Sequence, residues 1–200
     1  MQPHVMTRQL AARLRGVLVA ETIAGLTCTA QQAGNPYGIE RHDFGAAAAF
    51  VGRNAPPHGC WNRVVGFQPD DINAIDDIIA LYRDGARRCH IDLDPLTLTP
   101  EIGEALAARG LAPAPNGMVL YGVPAAHEPP LPEGLEIREL GRDEADAFAE
   151  LWADGFEVAS DDRAAALNIR KSWFTLPEYR LYVGYVGGAA AALATMRSIG

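Results

Sequence analysis

Hydrophobic residues recur every three or four positions in several stretches of the chain, a spacing that places them on one face of a helix. Leu10, Leu14 and Val17 predict an N-terminal helix of this kind. Three more helices are predicted over residues 99–110, capped by Thr99, over residues 141–156, and over residues 160–177, capped by Ser160 or Asp161.

The clearest helical pattern covers residues 68–86. Asp70 and Asp71 are its candidate caps, because a short carboxylate can accept the unpaired N–H groups of the first turn. Gly85 is a typical stop. Its predicted buried stripe consists of Ile72, Ile75, Ile79 and Tyr82.

Short apolar runs between turn residues predict β-strands. In the first half, residues 37–52 predict two strands joined by a turn near residues 42–45. Three further strands are predicted over residues 61–67, 87–95 and 117–123. Residues 134–140 predict another strand, and the sequence closes on a candidate hairpin that turns at Gly187-Gly188. A two-residue turn pairs Val186 with Ala189, Tyr182 with Leu193, Arg180 with Thr195 and Glu178 with Arg197.

The proline-rich stretch "PAAHEPPLPEG", residues 124–134, interrupts these patterns and predicts a semi-rigid linker. It separates a first unit, residues 1–123, from a second, residues 135–200. The expected fold class is α+β.

The net charge of -8 argues against nucleic acid as the main partner, because phosphate-binding surfaces are usually basic. No apolar run is long enough to cross a membrane, and the first residues lack the apolar core of a signal peptide. We therefore expect a cytoplasmic protein. Cys28, Cys60 and Cys89 lie far apart and form no CxxC pair, which indicates free thiols and neither disulfides nor a zinc site.

The second unit has the order strand, helix, helix, strand, strand. Its first strand reads "LEIREL" and its last two "YVGYVGGAAAALATM". This segment resembles the opening of the GNAT superfamily of N-acyltransferases. In the first unit, "RNAPPHGCWNRVVGF" and "YRDGARRCHIDLDP" resemble the N-terminal half of tandem GNAT proteins. The resemblance implies a mixed, mostly antiparallel sheet flanked by helices in each unit.

The resemblance also implies acetyl-CoA as the cofactor of the intact protein. In the family, a loop of the form Q/R-x-x-G-x-G/A at a helix start binds its pyrophosphate through backbone N–H groups. The sequence ends at Gly200 before such a loop, and the matching stretch of the first unit, "QPDDINAID", carries Asp70 and Asp71. We expect a chain that is truncated inside its catalytic domain, with a natural half-domain completed by another chain as the alternative. Such a chain binds no acetyl-CoA and has an exposed last strand through which copies can associate.

By this resemblance the intact protein transfers an acetyl group to an amine of a small molecule or peptide. A general base deprotonates the ammonium, and the resulting neutral amine then attacks the thioester directly. The family's oxyanion-binding amide and tyrosine acid have no counterpart in this sequence, so no catalytic residue is assigned. The alternatives are a non-catalytic GNAT-like binding or assembly module, and an α+β domain unrelated to the family.

Four aromatic residues lie on the two helices that flank the acceptor side of the GNAT fold: Trp152, Phe156, Trp173 and Phe174. They either line an amine pocket or pack into the core. Phe156, Glu157 and Asp161 are the candidate substrate-binding residues, because an aromatic ring and carboxylates attract a cationic amine.

Two stretches of the first unit carry clustered polar residues. In "CHIDLDP", His90, Asp92 and Asp94 share a strand face, but neighbours on that face lie about 7 Å apart, too far for three ligands of one metal ion. No metal site is expected. The stretch "RNAPPHGCWNRV" carries the polar residues Arg53, Asn54, Asn62 and Arg63. They form either an interface or pocket, or a turn whose side chains satisfy its own backbone.

Overall fold

The computed structural model describes residues 6–55, 61–114, 127 and 129–198. The chain divides into two compact units, one of residues 1–30 and 35–124 and one of residues 31–34 and 125–200. The described part of each unit contains one three-stranded antiparallel sheet with helices, so the α+β class is confirmed. Of the described helices, none has the length and apolar character needed to cross a membrane.

The sheet of unit 1 consists of β1 (Ile39–Phe44), β2 (Ala47–Gly52) and β3 (Arg63–Val65), with β2 in the middle. The turn predicted near residues 42–45 is confirmed at the end of that range. His42 lies inside β1, and the chain reverses at Gly45, whose φ is +64°. Every residue of β2 is buried. This strand is therefore the centre of unit 1.

Helices cover this sheet. They are α1 (Arg8–Ala30), α2 (Ile75–Asp84), which follows a 3-10 segment at Pro69–Ala74, and α3 (Pro100–Ala107). The predicted cap of α3 is confirmed, because the Thr99 hydroxyl accepts the N–H of Ile102. The main core consists of Ile75, Ile78 and Tyr82 of α2, Ile102 of α3, and Phe67, which pack against Val51 and Val64 of the strands.

The stripe predicted for α1 is only partly buried. Leu10, Leu14 and Val17 keep intermediate exposure, and the buried residues are Leu26 and Thr29, near the C-terminal end of the helix. The helix also extends well beyond the stretch that the pattern covered. Its C-terminal half therefore supplies its firmest packing.

The buried stripe of α2 also differs from the prediction. Ile75, Ile78 and Tyr82 are fully buried, whereas Ile72 and Ile79 are partly buried. Ile72 lies in the 3-10 segment, which turns every three residues and shifts the phase of the pattern. The predicted stripe requires one continuous α-helix.

Asp71, and not Asp70, holds the start of this helical segment. Its carboxylate accepts the backbone N–H of Gln68 at 2.9 Å and that of Ala46 at 3.0 Å. Asp71 thus acts from within the first turn, as the acidic member of a capping box, and not as the residue that precedes it. Because Ala46 lies in the β1–β2 turn, one buried carboxylate joins the hairpin to the helix.

The strand predicted over residues 87–95 is wrong. Only Ile91 forms a β-bridge, parallel to Val64 of β3. The predicted alternation is confirmed nevertheless, since Cys89, Ile91 and Leu93 pack against the core of unit 1. The strand predicted over residues 117–123 lies outside the described residues.

Unit 2 has the predicted order. It contains β4 (Leu135–Glu139), α4 (Ala145–Gly155), α5 (Ser160–Ser172), β5 (Tyr179–Val186) and β6 (Ala189–Arg197), with 3-10 segments at Arg142–Glu144 and Trp173–Thr175. Phe148 of α4 is fully buried against Leu181 and Val183 of β5. Of the predicted linker, residues 127 and 129–134 are described and belong to no helix or strand.

The closing hairpin turns at Gly187-Gly188, as predicted, and both residues have the positive φ of a type I′ turn. Beyond the first pairs the predicted register is wrong by one residue. Tyr185 pairs with Ala190 and Gly184 with Ala192, so Ala191 is the extra residue of a β-bulge.

The bulge has a packing reason. In the regular register Leu193 faces Tyr182, on the sheet face away from the helices. With the bulge Leu193 pairs with Val183 and packs against the core of unit 2. A one-residue shift turns every following side chain to the other face. The predicted Glu178–Arg197 pair survives as a contact of 3.9 Å, although Arg197 now pairs with Tyr179.

One face of this sheet is open. The helices cover the face that carries Val183, while Ile137, Val186 and Met196 point to the other face and are 52%, 54% and 47% exposed. Within the described residues β6 pairs only with β5 and is therefore an edge strand. The exposed last strand is thus confirmed.

Candidate functional site

The candidate substrate-binding residues lie where α4 ends and α5 begins. Phe156 follows α4 directly, Glu157 is next, and Asp161 lies in the first turn of α5. All three are exposed. The structure therefore brings the three predicted residues together in one short connection of unit 2.

Phe156 is the outer ring of an aromatic stack. Its ring centroid lies 4.6 Å from that of Trp152, and the side chain is 68% exposed. The Arg170 guanidinium lies 3.8 Å from the Trp152 ring centroid and 4.1 Å from that of Trp173. Trp152 thus stacks on one face of the Phe156 ring, and Arg170 of α5 contacts both tryptophan rings.

The four aromatic residues have different roles. Phe174 packs edge-on against Phe148, and Trp173 also belongs to the core of unit 2, as the core interpretation predicted. Trp152 lies in the stack, and only Phe156 offers an open ring face. Arg170 was missed in the sequence, although its position three residues before Trp173 places the two on one helix face.

Glu157 has an unusual backbone. Its φ is +50°, its N–H donates to the carbonyl of Asp154, and the N–H of Val158 donates to that of Ala153. These two bonds form a Schellman motif, in which glycine usually occupies the left-handed position. A carboxylate at a helix C-terminus is also unfavourable, because the helix dipole is negative there. Glu157 is thus poorly suited to its structural position.

The charges around the loop are unevenly balanced. Arg163 binds both Glu150 and Asp154. By contrast, no cation of the described residues lies within ion-pair distance of Glu157 or Asp161. The two candidate carboxylates therefore remain available to a positive ligand.

The predicted cap of α5 is wrong. Ala159 occupies the N-cap position, and the Ser160 hydroxyl donates to the Asp161 carboxylate at 3.2 Å. Neither Ser160 nor Asp161 accepts a backbone N–H at the helix start. Asp161 nevertheless lies in the first turn of α5, where the helix dipole favours a carboxylate.

The helix starts described in the structure are poor sites for a pyrophosphate. Asp71 fills the start of the α2 segment, Glu144 accepts the Gly141 N–H before α4, and the first turns of α3 and α5 carry Glu101 and Asp161. At α1, Thr7 accepts the N–H of Leu10. Carboxylates repel a phosphate, so the starts of α2, α3, α4 and α5 are unfavourable places for a pyrophosphate.

The polar residues of the first unit bind their own chain. Arg53 makes two hydrogen bonds to Glu40, of 2.5 and 2.8 Å. The Asn54 amide donates to Pro36, and the Asn62 amide oxygen accepts the Gly52 N–H. These contacts favour the self-satisfied turn over the pocket, although residues 56–60 of this stretch lie outside the description.

The polar side chains of "CHIDLDP" contact other groups of unit 1. Asp92 accepts from Arg63 and lies 3.3 Å from the His90 ring. Asp94 accepts the N–H of Leu96. Among the described histidines, cysteines and carboxylates no group of three could hold a metal ion.

The cysteines differ in their surroundings. Cys28 and Cys89 are free thiols, and Cys60 lies outside the described residues. Burial raises the pKa of Cys89 to about 11. Its thiol is therefore protonated at neutral pH and is a poor nucleophile.

Comparisons with known proteins give no relative. No family model, no curated protein and no solved structure matches this chain.

Proposed function

We propose that unit 2 is the amine-binding part of a GNAT-type N-acetyltransferase, and that this chain alone does not transfer acetyl groups. Two features support the proposal: the order β4, α4, α5, β5, β6, which the resemblance to the GNAT superfamily predicts, and the exposed loop between α4 and α5. The acceptor is an amine of a small molecule or peptide. The free thiols of Cys28 and Cys89 favour the predicted cytoplasmic location.

The observation that carries the proposal is the combination at this loop of an open aromatic face with two uncompensated carboxylates. Phe156 offers its ring, and Glu157 and Asp161 offer negative charge. An exposed cation–π contact contributes about 0.5–1 kcal/mol, and each exposed ion pair about 0.2–1 kcal/mol. Together they favour an ammonium over a neutral analogue by about tenfold in the dissociation constant.

Nuclear magnetic resonance titration with tryptamine, a primary ammonium, tests this selectivity. N-acetyltryptamine is the matched control, because it keeps the ring and lacks the charge. We expect tryptamine to shift the amide signals around residues 152–163 and to bind about tenfold more tightly than the control. Equal binding of the two compounds, or shifts elsewhere in the chain, would contradict the proposal.

Acetyl-CoA does not fit the described helix starts, so no step of the transfer is assigned to a residue of this chain. We expect calorimetry to show no binding of acetyl-CoA to this chain with a dissociation constant near 1 μM, which corresponds to roughly -8 kcal/mol. A binding isotherm in that range would sink the prediction. It would leave the amine site to be judged by the tryptamine titration.

A second candidate function is a non-catalytic assembly module. The open edge of β6 favours it, since an edge strand presents unpaired N–H and C=O groups that can pair with another strand. The open face of the same sheet carries the exposed side chains of Met196 on β6, Val186 on β5 and Ile137 on β4. The partner in this proposal is a second copy of the chain.

A further inference from the structure

An open cavity of about 280 Å³ lies in unit 2, between the end of β4 and the segment that leads into β5. Its walls are mixed, with polar groups beside the apolar side chains of Leu140, Phe174 and Leu176. Two arginines also line the cavity: Arg142, which follows β4, and Arg180, which lies in β5. None of the candidate amine-binding residues takes part, so the cavity is separate from that loop.

These two arginines differ from the others of unit 2. Arg138 pairs with Glu144, and Arg163 pairs with Glu150 and Asp154. By contrast, no hydrogen bond or ion pair joins the side chain of Arg142 or of Arg180 to any described residue. In a protein with a net charge of -8, two uncompensated guanidinium groups at one cavity are a local excess of positive charge.

The other polar groups at the cavity are already engaged. Glu139 is the one carboxylate among the described lining residues, and it accepts a hydrogen bond from the Tyr182 hydroxyl at 3.2 Å. The Gly141 N–H donates to Glu144 at 3.0 Å. The arginine side chains, and not the helix start, therefore provide the capacity to bind an anion.

We propose that this cavity binds a small organic carboxylate. Arginine is suited to carboxylates, because its planar fork donates two parallel hydrogen bonds to the two oxygens. Phe174 and Leu176 provide the apolar wall for the hydrocarbon body of the ligand. The volume of about 280 Å³ lies just below the usual range for ligand pockets and suits a molecule of the size of one aromatic ring with its acid group.

Titration with benzoate, followed by amide signals in nuclear magnetic resonance, tests this site. We expect saturable shifts at residues 139–142 and 174–181. Benzamide, which has the same shape without the charge, is expected to bind at least about tenfold more weakly, and so is inorganic phosphate, which lacks the apolar body.

Arg142→Gln and Arg180→Gln are each expected to weaken benzoate binding about tenfold. Both positions are exposed, so the fold is retained. The matched control is Arg41→Gln, an exposed arginine of unit 1 that pairs with Asp43; it leaves the affinity unchanged. Glu139→Gln removes the nearby negative charge and should tighten binding.

Three outcomes would overturn the proposal: benzoate shifts that do not saturate, equal affinity for benzamide, and unchanged benzoate binding in both arginine variants. Because none of these experiments involves Phe156, Glu157 or Asp161, their failure leaves the amine site untouched.

Discussion

Glu157 occupies a position at which a glycine is expected to be more stable. Its left-handed φ of +50° costs an L-residue about 1–2 kcal/mol, and its charge opposes the dipole of α4. Such a residue persists where the surroundings or a function require it. In our account the requirement is the binding of a cationic amine.

We therefore expect Glu157→Gly to raise the free energy of unfolding of unit 2 by about 1 kcal/mol and to weaken tryptamine binding at the same time. Urea denaturation followed by the fluorescence of Trp152 and Trp173 measures the first effect. Ala164→Gly, on the exposed face of α5, is the control and should lower stability by about 1 kcal/mol. A loss of stability in Glu157→Gly would show that the Schellman geometry is wrong.

Residue types alone did not reveal the Arg170 stack. The sequence predicted four aromatic residues on these two helices, packed in the core or lining a pocket; Phe174 packs in the core, in the 3-10 segment after α5, whereas Phe156 is exposed just after α4. The guanidinium between Trp152 and Trp173 depends on how α4 and the 3-10 segment after α5 approach each other. That approach is a tertiary feature, which periodicity within one helix does not encode.

At the scale of elements, Asp71 links the β1–β2 hairpin to the segment that begins α2. Its side chain is nearly buried, at 5% exposure, and it accepts two backbone N–H groups. Its loss leaves both donors without a partner inside the fold. The link therefore stabilises two elements at once.

We expect Asp71→Ala to lower the free energy of unfolding of unit 1 by about 3 kcal/mol, because each bond to a charged acceptor contributes about 1.5–3 kcal/mol. Hydrogen exchange of the β2 amides reports this change. The neighbouring variant Asp70→Ala should change stability by less than about 0.5 kcal/mol. Equal effects of the two substitutions would contradict the capping role of Asp71.

The elements that could be predicted are those with strong local signals. The Gly187-Gly188 turn and the Thr99 cap are examples, since each depends on a few adjacent residues. The bulge at Ala191 could not be predicted, because it arises when Leu193 turns toward Val183 and the helices. The mistaken strand at residues 87–95 has a similar cause, as the alternation marks a buried face and does not supply strand partners.

At the scale of the whole molecule, the two units differ in how their sheets are covered. In unit 1 the central strand β2 is buried along its whole length. In unit 2 the sheet is covered on one face, and most of β6 is exposed. The sequence predicted the open edge, but not that the bulge turns Met196 to the open face, where Val186 and Ile137 also lie.

We expect this surface to support self-association at high micromolar concentration. Analytical ultracentrifugation should show a dimer, and Met196→Lys or Ala194→Lys should shift the protein to monomers, because a charge on an edge strand opposes pairing. Ala164→Lys, on the exposed surface of α5, is the control and should leave the distribution unchanged. A wild-type chain that stays monomeric at these concentrations would exclude the assembly function.

The central claim is that the loop between α4 and α5 binds a cationic amine. The most direct measurement is a calorimetric titration of tryptamine into the wild-type chain and into the Glu157→Gln/Asp161→Asn variant, which keeps the shape of both side chains and removes their charge. We predict that the variant binds tryptamine about tenfold more weakly, and that added salt weakens binding to the wild type more than binding to the variant. Equal dissociation constants for the two proteins would contradict it.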